Sequence, residues 1–510
     1  MSPVGRWFVG LAALALASAW APSLAQQPAE PEVEERDEAW TTYDQAMDRG
    51  QKTAAADALL AILDDPEAAE LHGQAWVELG ELLDSFDMGY SALIAYSRAI
   101  AADPDAAAGS VGHAMDLAEA LGDEPLLAPV LAANVGIEVD GATRSRMAYL
   151  AARHYFQQSE YGTATGILHM VKKGSRESAD AKALRGVILA QQGRHEDALA
   201  PLLRALELGR DQGRDARFIN VTHLNIARAF FGADNYARAI EYYAKVERGS
   251  EFWPQATFER AWCHFMVGDA TGTIALMMNH DSPFFRDWYF PEGDLLRAHA
   301  LFLMCKFPDA GEQIDAFIAR YSPIREQLQA QVATMTPAEA WDDLRAHEAG
   351  RPTRLPPTLL RRYQTEDRIQ GAMRTVDKAD DELSRLANVS ANPFAARAIT
   401  WLGERRTQIV QTEGGRVLAN AHLARSELAG MLSDVQVTKL DIMQYETRMY
   451  ENASFTGELH FGDRLGRLRS MGTLRGHQAW PFEGEYWADE LGYYRIDARP
   501  DCPADLIAGE

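Results

Sequence analysis

Residues 73–106 read GQAWVELGELLDSFDMGYSALIAYSRAIAADPDA, and they spell out one complete helical hairpin. Trp76, Leu79, Gly80 and Leu83 fall at three- and four-residue steps, and so do Ala92, Tyr96 and Ala99, which predicts two short amphipathic helices closed by Pro104. Gly80 and Ala92 are small where the two helices must cross closely. A lone hairpin of this kind cannot bury its own apolar faces, so it requires stacked neighbours.

Those neighbours are visible on both sides. Taking the small or apolar residue near the start of each second helix as a marker, it recurs at Ala56, Ala92, Leu127, Ala164, Ala198, Ala239, Thr273 and Ala310, at intervals of 36, 35, 37, 34, 41, 34 and 37. The W-x2-L-G spacing of residues 76–80, the A-x3-aromatic spacing of Ala92 and Tyr96, and the closing Pro104 resemble the tetratricopeptide repeat (TPR) family. That resemblance implies an all-α, right-handed solenoid of seven to eight hairpins over residues 36–322. The unit at 107–140 is degenerate, with Pro125 and Pro129 suited to the start of a helix and not to its middle.

The amino-terminal 25 residues stand apart. Arg6 precedes an apolar run from Trp7 to Ala21, Pro22 breaks it, and Ser23-Leu24-Ala25 offers a small-residue cleavage site, so a signal peptide cleaved near Ala25 is expected. The run is shorter than the roughly 20 residues that span a bilayer. Export to a bacterial periplasm is the corresponding localisation. Residues 26–35 read as an acidic, Pro-rich linker. A formal charge of −24 over 510 residues argues against a nucleic-acid partner, which needs clustered positive charge, and leaves basic peptides or basic protein surfaces open. Cys263, Cys305 and Cys502 are odd in number and widely spaced; no disulfide framework or metal site is spelled out, and buried free thiols are expected.

Beyond Tyr321-Ser322-Pro323 the repeat period ends. Residues 323–357 read as a helical extension and linker, broken by RPTRLPP at 351–357. Over 358–451 a seven-residue pattern appears, with Ile369, Val376 and Leu383 in one run and Leu428, Val435, Ile442 and Met449 in another, predicting a long antiparallel helical hairpin or an oligomeric coiled coil. Residues 345–425 hold 14 Lys or Arg against nine Asp or Glu, a basic region in an acidic chain. It suits an anionic surface such as lipid or cell wall, the chain's own acidic solenoid, or a solvated helix face. Residues 452–510 form a Gly-rich tail ending in AWPFEGEYWADELGYYRID, whose aromatic residues must dock somewhere.

In the TPR family the concave wall is lined by the first helix of each hairpin. Carried onto this sequence, that face places Tyr149, Arg153, Phe156, Arg228, Phe231, Phe258, Trp262, Phe265, His299 and Phe302 in a partner-binding groove. Leaving so many rings in water forfeits roughly 1.5–3 kcal/mol each, so the groove is expected to be filled, by a partner segment gripped through Arg153 or Arg228 or by the chain's own tail. A shifted register would instead make these rings inter-repeat core. Trp480, Phe482, Tyr486 and Trp487 are the candidates for tail docking or for stacking on a glycan. No P-loop, dinucleotide fingerprint, H-E-x-x-H or G-x-S-x-G is present, so no catalytic residue, cofactor or metal is expected. The layout and the W-P-F-x-G-E-Y-W ending are also similar to exported TPR proteins of gliding and predatory bacteria. Together these features imply a non-catalytic scaffold of the cell envelope that binds other envelope proteins or peptide segments; a structural oligomer and a peptidoglycan-binding module are the alternatives.

Overall fold

The computed structural model describes residues 33–285, 288–456, 469–471, 486–496, 500 and 502. The expected signal segment, residues 26–32 of the linker, and Trp480 and Phe482 lie outside the described residues. From the amino end, helical hairpins follow one another: α1 (Val33–Asp48) with α2 (Lys52–Asp64), then α3 (His72–Ser85) with α4 (Gly89–Ala102). After the single turn α5 (Pro104–Ala107) come α6 (Val111–Leu121) with α7 (Glu124–Ala133), α8 (Gly141–Gln157) with α9 (Tyr161–Leu168), and α10 (Ser178–Gln191) with α11 (His195–Asp211). The array closes with α12 (Ala216–Gly232) and α13 (Tyr236–Tyr243), α14 (Trp253–Met266) and α15 (Ala270–Met277), and α16 (Pro291–Leu303) and α17 (Phe307–Gln331).

One local device makes all eight turns. Gly50, Asp87, Gly122, Ser159, Gly193, Asp234, Gly268 and Cys305 each adopt a left-handed backbone, with φ between 54° and 79°. In every case the following N–H donates to the carbonyl five residues back at 2.8–3.0 Å, so the first helix ends in a Schellman-type cap and the chain reverses. Five or six residues beyond each turn sits one of the eight markers read from the sequence, and every marker is 0% exposed. The TPR-type solenoid is therefore present. At Gly80 a Cβ would lie 2.7 Å from the Tyr96 ring, which is why only hydrogen fits at that helix crossing. Two local expectations need correcting. Pro129 lies inside α7, and α17 runs straight through Pro323, so the helix that ends the solenoid continues past residue 322.

The extension is where the structure departs most from the sequence reading. It consists of α18 (Pro337–Glu348), α19 (Pro357–Arg361), α20 (Asp367–Ala387) and α21 (Pro393–Thr456). Arms of such unequal length cannot form the long hairpin expected over 358–451. α20 lies antiparallel to the amino-terminal third of α21, with Arg406 Nε donating to Asp380 at 2.6 Å and Arg368 to Glu413 at 2.8 Å. The second heptad column does not meet the first: Leu428, Leu432, Val435 and Ile442 are buried against the last hairpin, where Tyr445 stacks on Phe307 at 5.5 Å and meets Phe302 edge-on at 5.5 Å.

At 64 residues, α21 is roughly 96 Å long at 1.5 Å per residue. Its amino end joins the core of the first hairpins, where Phe394 meets Phe86 at 5.5 Å and Trp401 meets Trp76 at 5.3 Å, with the Arg98 guanidinium over both indoles. α20 sits beside it. The Glu382 carboxylate accepts from the N–H groups of Tyr90 and Ser91 at 2.9 and 2.8 Å, capping α4 from 292 residues away in sequence. Arg405 donates to the buried Asp123, Arg385 to Asp87 and Arg397 to Asp64. Of the three readings of the basic region, these pairs realise the one in which it docks on the chain's own acidic solenoid. α21 thus connects the first hairpins to the last.

The tail is fixed in two places. A disulfide joins Cys305, in the left-handed turn between α16 and α17, to Cys502, with the two Cα atoms 5.0 Å apart. This corrects the expectation of three free thiols; only Cys263 remains free, and it is buried. Spacing alone hides such a bond, because its partners are 197 residues apart. Between these points β2 (Tyr494–Ile496) pairs antiparallel with β1 (Arg469–Met471), and Leu491, Tyr494 and Ile496 are buried against α15 and its neighbours. Asn279 Oδ1 accepts from Gly492 N at 2.6 Å.

Candidate functional site

The inner faces of α12, α14 and α16 do not open freely to solvent. Facing them are α19, the start of α20 and the middle of α21, and between the two walls lies a cavity of about 660 Å³. The solenoid contributes Leu224, Arg228, Phe258 and the Trp288–Glu292 segment; the extension contributes Thr358, Arg362, Arg368, Glu427 and Met431. Trp288 and Phe290 stack with their rings nearly parallel, 5.9 Å apart, and Phe290 packs on Phe258 at 5.9 Å, so one wall is aromatic.

Only two of the ten expected groove residues, Arg228 and Phe258, line this cavity. Neither is a free anchor. Glu259 holds the Arg228 guanidinium through Nε at 2.8 Å and a second nitrogen at 2.5 Å, and Phe258 is largely buried between repeats. Arg153 pairs with Glu124 at 3.0 Å. Tyr149 is half-buried near Asp180, and burial raises its hydroxyl pKa to about 12. Phe156 packs on Tyr161 and Phe231 on Tyr236, each within its own hairpin. Trp262 and Phe265 meet edge-on at 5.7 Å beside a small buried cluster, and Phe302 is covered by Tyr445. His299 faces solvent. For most of these rings the inter-repeat reading describes the surroundings better than an open groove.

Nor does the described tail fill this space. Tyr486 and Trp487 lie next to the segment seated on α15; Tyr486 meets Tyr494 at 5.9 Å, while Trp487 is 59% exposed.

The electrostatics of the cavity are uneven. Arg217 is neutralised by Glu251 and Asp367, and Arg368 by Glu413 at 2.7 Å. Glu292 and Glu427, by contrast, face the cavity from opposite walls and form no ion pair or hydrogen bond among the described residues. Both side chains keep substantial solvent exposure, and partial desolvation first and the Glu427 charge second raise the Glu292 carboxyl above its ordinary range. The nearby Tyr289 hydroxyl is buried without a hydrogen-bond partner, and burial, reinforced by Glu427, pushes its pKa up. Two unmatched carboxylates and an orphan hydroxyl beside an aromatic wall favour a cationic donor.

Sequence reasoning missed the extension's half of the site, because residues 358–431 reach it through contacts with no sequence period. The run FFRDWYFP at 284–291 was the one available signal. Among the described residues no helix is long and apolar enough to cross a membrane.

No protein-family model matches the chain, and no curated protein matches it. Similar solved structures include a tetratricopeptide repeat protein from Parabacteroides merdae, 15% identical, aligned over 56% of this chain and 93% of that one with a TM-score of 0.27. The C-terminal part of a TPR repeat-containing protein from Cytophaga hutchinsonii aligns over 56% and 97% at 15% identity and a TM-score of 0.33. A Rap protein in complex with competence and sporulation factor aligns over 72% and 99% at 12% identity and a TM-score of 0.28. At such TM-scores the assignment of a TPR-type solenoid rests on the chain's own turns, markers and crossings.

Proposed function

We propose that this chain is an exported, non-catalytic scaffold of the bacterial envelope that holds a basic, extended segment of a partner protein between the solenoid wall and α21. The observation that carries the reading is the cavity with Glu292 and Glu427 unmatched on opposite walls. A lysine or arginine side chain entering there gains two carboxylates, the Tyr289 hydroxyl and aromatic faces at once. Two features support export: the apolar segment at residues 7–21 and the Cys305–Cys502 disulfide, a bond that persists in oxidising compartments. An envelope-assembly or gliding-motility complex is the setting in which such a scaffold would serve.

The test places a photo-crosslinking residue at Gln255 or Met431 of the full chain in its own cells, with Arg204, outside this cavity, as control. Adducts specific to the cavity positions, lost in the Glu292→Gln/Glu427→Gln double variant, are the expected result. Equal labelling at Arg204, or adducts indifferent to the double substitution, would overturn the reading. Amino-terminal sequencing of the mature protein should begin at Gln26.

A second reading, pairing between chains, has one observation in its favour. Val437, Leu440 and Met443 are 54–59% exposed along one side of α21. Sedimentation velocity separates the two, since a scaffold closed on itself sediments as a monomer.

A further inference from the structure

The opposite face of α14 carries a second, differently charged cavity. Phe258 points to the inner wall, while Arg260 and His264, one helical turn apart, face the other way, toward the tail. Here α14, α15 and the segment Gly492–Ile496 enclose about 530 Å³, a volume in the range of small-ligand sites.

Arg260 is half-buried and, among the described residues, forms no ion pair and no hydrogen bond; its Nε is wholly buried without an acceptor. An uncompensated guanidinium in such a place costs free energy, which a bound acceptor would recover. Burial accordingly lowers its pKa from the ordinary arginine value. Among the described residues, Arg98 is the other arginine lowered chiefly by burial and lies over two tryptophan rings, whereas Arg260 has no such cover there.

The surroundings are arranged and not accidental. His264 Nδ1 bonds Asp269 Oδ2 at 2.8 Å, while Asp269 Oδ1 accepts from Gly272 N and Thr271 Oγ1, each at 2.8 Å. The carboxylate is thus engaged by three other groups, and among the described residues it forms no ion pair with Arg260. A Cβ at Gly272 would collide with both Asp269 and the His264 ring, so glycine at 272 is what lets the pair form. The pair leaves His264 Nε2 buried with no partner. Arg495 adds a further positive charge at the cavity's outer edge, again without an ion pair among the described residues.

We propose that this cavity binds an oxyanion group, carboxylate or phosphate, gripped by the Arg260 fork and flanked by His264 Nε2 and Arg495. The planar guanidinium presents two parallel donors that match either group. With Asp269 engaged on Nδ1, the second ring nitrogen, Nε2, is the one left facing the same ligand. The tail segment supplies one wall, so the site exists only in the chain with residues 492–496 seated. It stands independently of any peptide in the inner cavity.

Titration calorimetry on the full, oxidised chain in chloride buffer, with inorganic phosphate and with succinate in separate runs, tests it. Saturable binding of at least one is expected, phosphate identifying a phosphorylated ligand and succinate a carboxylate. Arg260→Gln should weaken binding at least tenfold. Arg495→Gln, an exposed change that leaves folding alone, should weaken it at least threefold, and it decides the matter if Arg260→Gln fails to give the native circular dichroism spectrum. Arg194→Gln, on a surface pair with Asp197, should change nothing. No saturable binding of either anion, or binding that survives the substitutions at 260 and 495, would overturn the proposal.

Discussion

Asp123 is 2% exposed and accepts from Tyr90 Oη at 2.6 Å and from Arg405 Nε at 2.8 Å, tying α4, α7 and α21 together. Asp123→Ala leaves a buried guanidinium without its partner and should cost about 3–5 kcal/mol in urea unfolding. Arg397→Ala removes an exposed pair with Asp64 and should cost less than about 1 kcal/mol. His280 responds to pH. It is buried, and desolvation lowers its pKa from 6.5 to about 4. Between those values the unfolded chain takes up a proton that the folded chain refuses. Stability present above pH 6.5 is therefore lost as pH falls toward 4, by about 3 kcal/mol at 1.36 kcal/mol per unit. In His280→Gln that part of the decline should be absent. A wild-type slope identical to that of the variant would refute the assignment.

At the scale of the element, two adjacent glycines in α21 make opposite predictions. A Cβ at Gly414 would run into the Pro337 carbonyl at the start of α18, backbone that cannot swing aside. Gly414→Ala should therefore cost at least about 2 kcal/mol. Gly415 has nothing within 4 Å, so Gly415→Ala should stabilise by roughly 0.5–1 kcal/mol through the unfolded chain alone. Equal thermal shifts for the two would show that α18 and α21 do not cross there. The helical pairs were legible in the sequence because their demands are local: a small residue about every 34 to 41 positions and a turn before it. The partners of α21 were not. A seven-residue apolar period says that a helix has a buried stripe and is silent about which helix covers it, so Leu428 and Ile442 were assigned to the wrong neighbour. The candidate site fared worse for the same reason, since half its wall comes from that helix.

For the molecule as a whole, α21 changes how a repeat array should unfold. Open solenoids fray from their ends because each repeat touches only its neighbours. Here the first hairpins and the last share one helix, and its residues enter both large buried cores. Unfolding followed by circular dichroism and by tryptophan fluorescence should give one coincident transition. Trp401→Ala should break that coincidence, costing about 3–5 kcal/mol and raising hydrogen exchange first in residues 52–102. Exchange spread evenly over all the hairpins would count against a bridging role.

The cap on α4 also sets an order of events during synthesis. Ser91 N donates to Glu382, 291 residues further along. At 5–20 residues per second that carboxylate emerges roughly 15–60 s after the helix it completes. Until then the amino end of α4 must rely on water, and a nascent chain stopped short of α20 lacks the carboxylate that completes it.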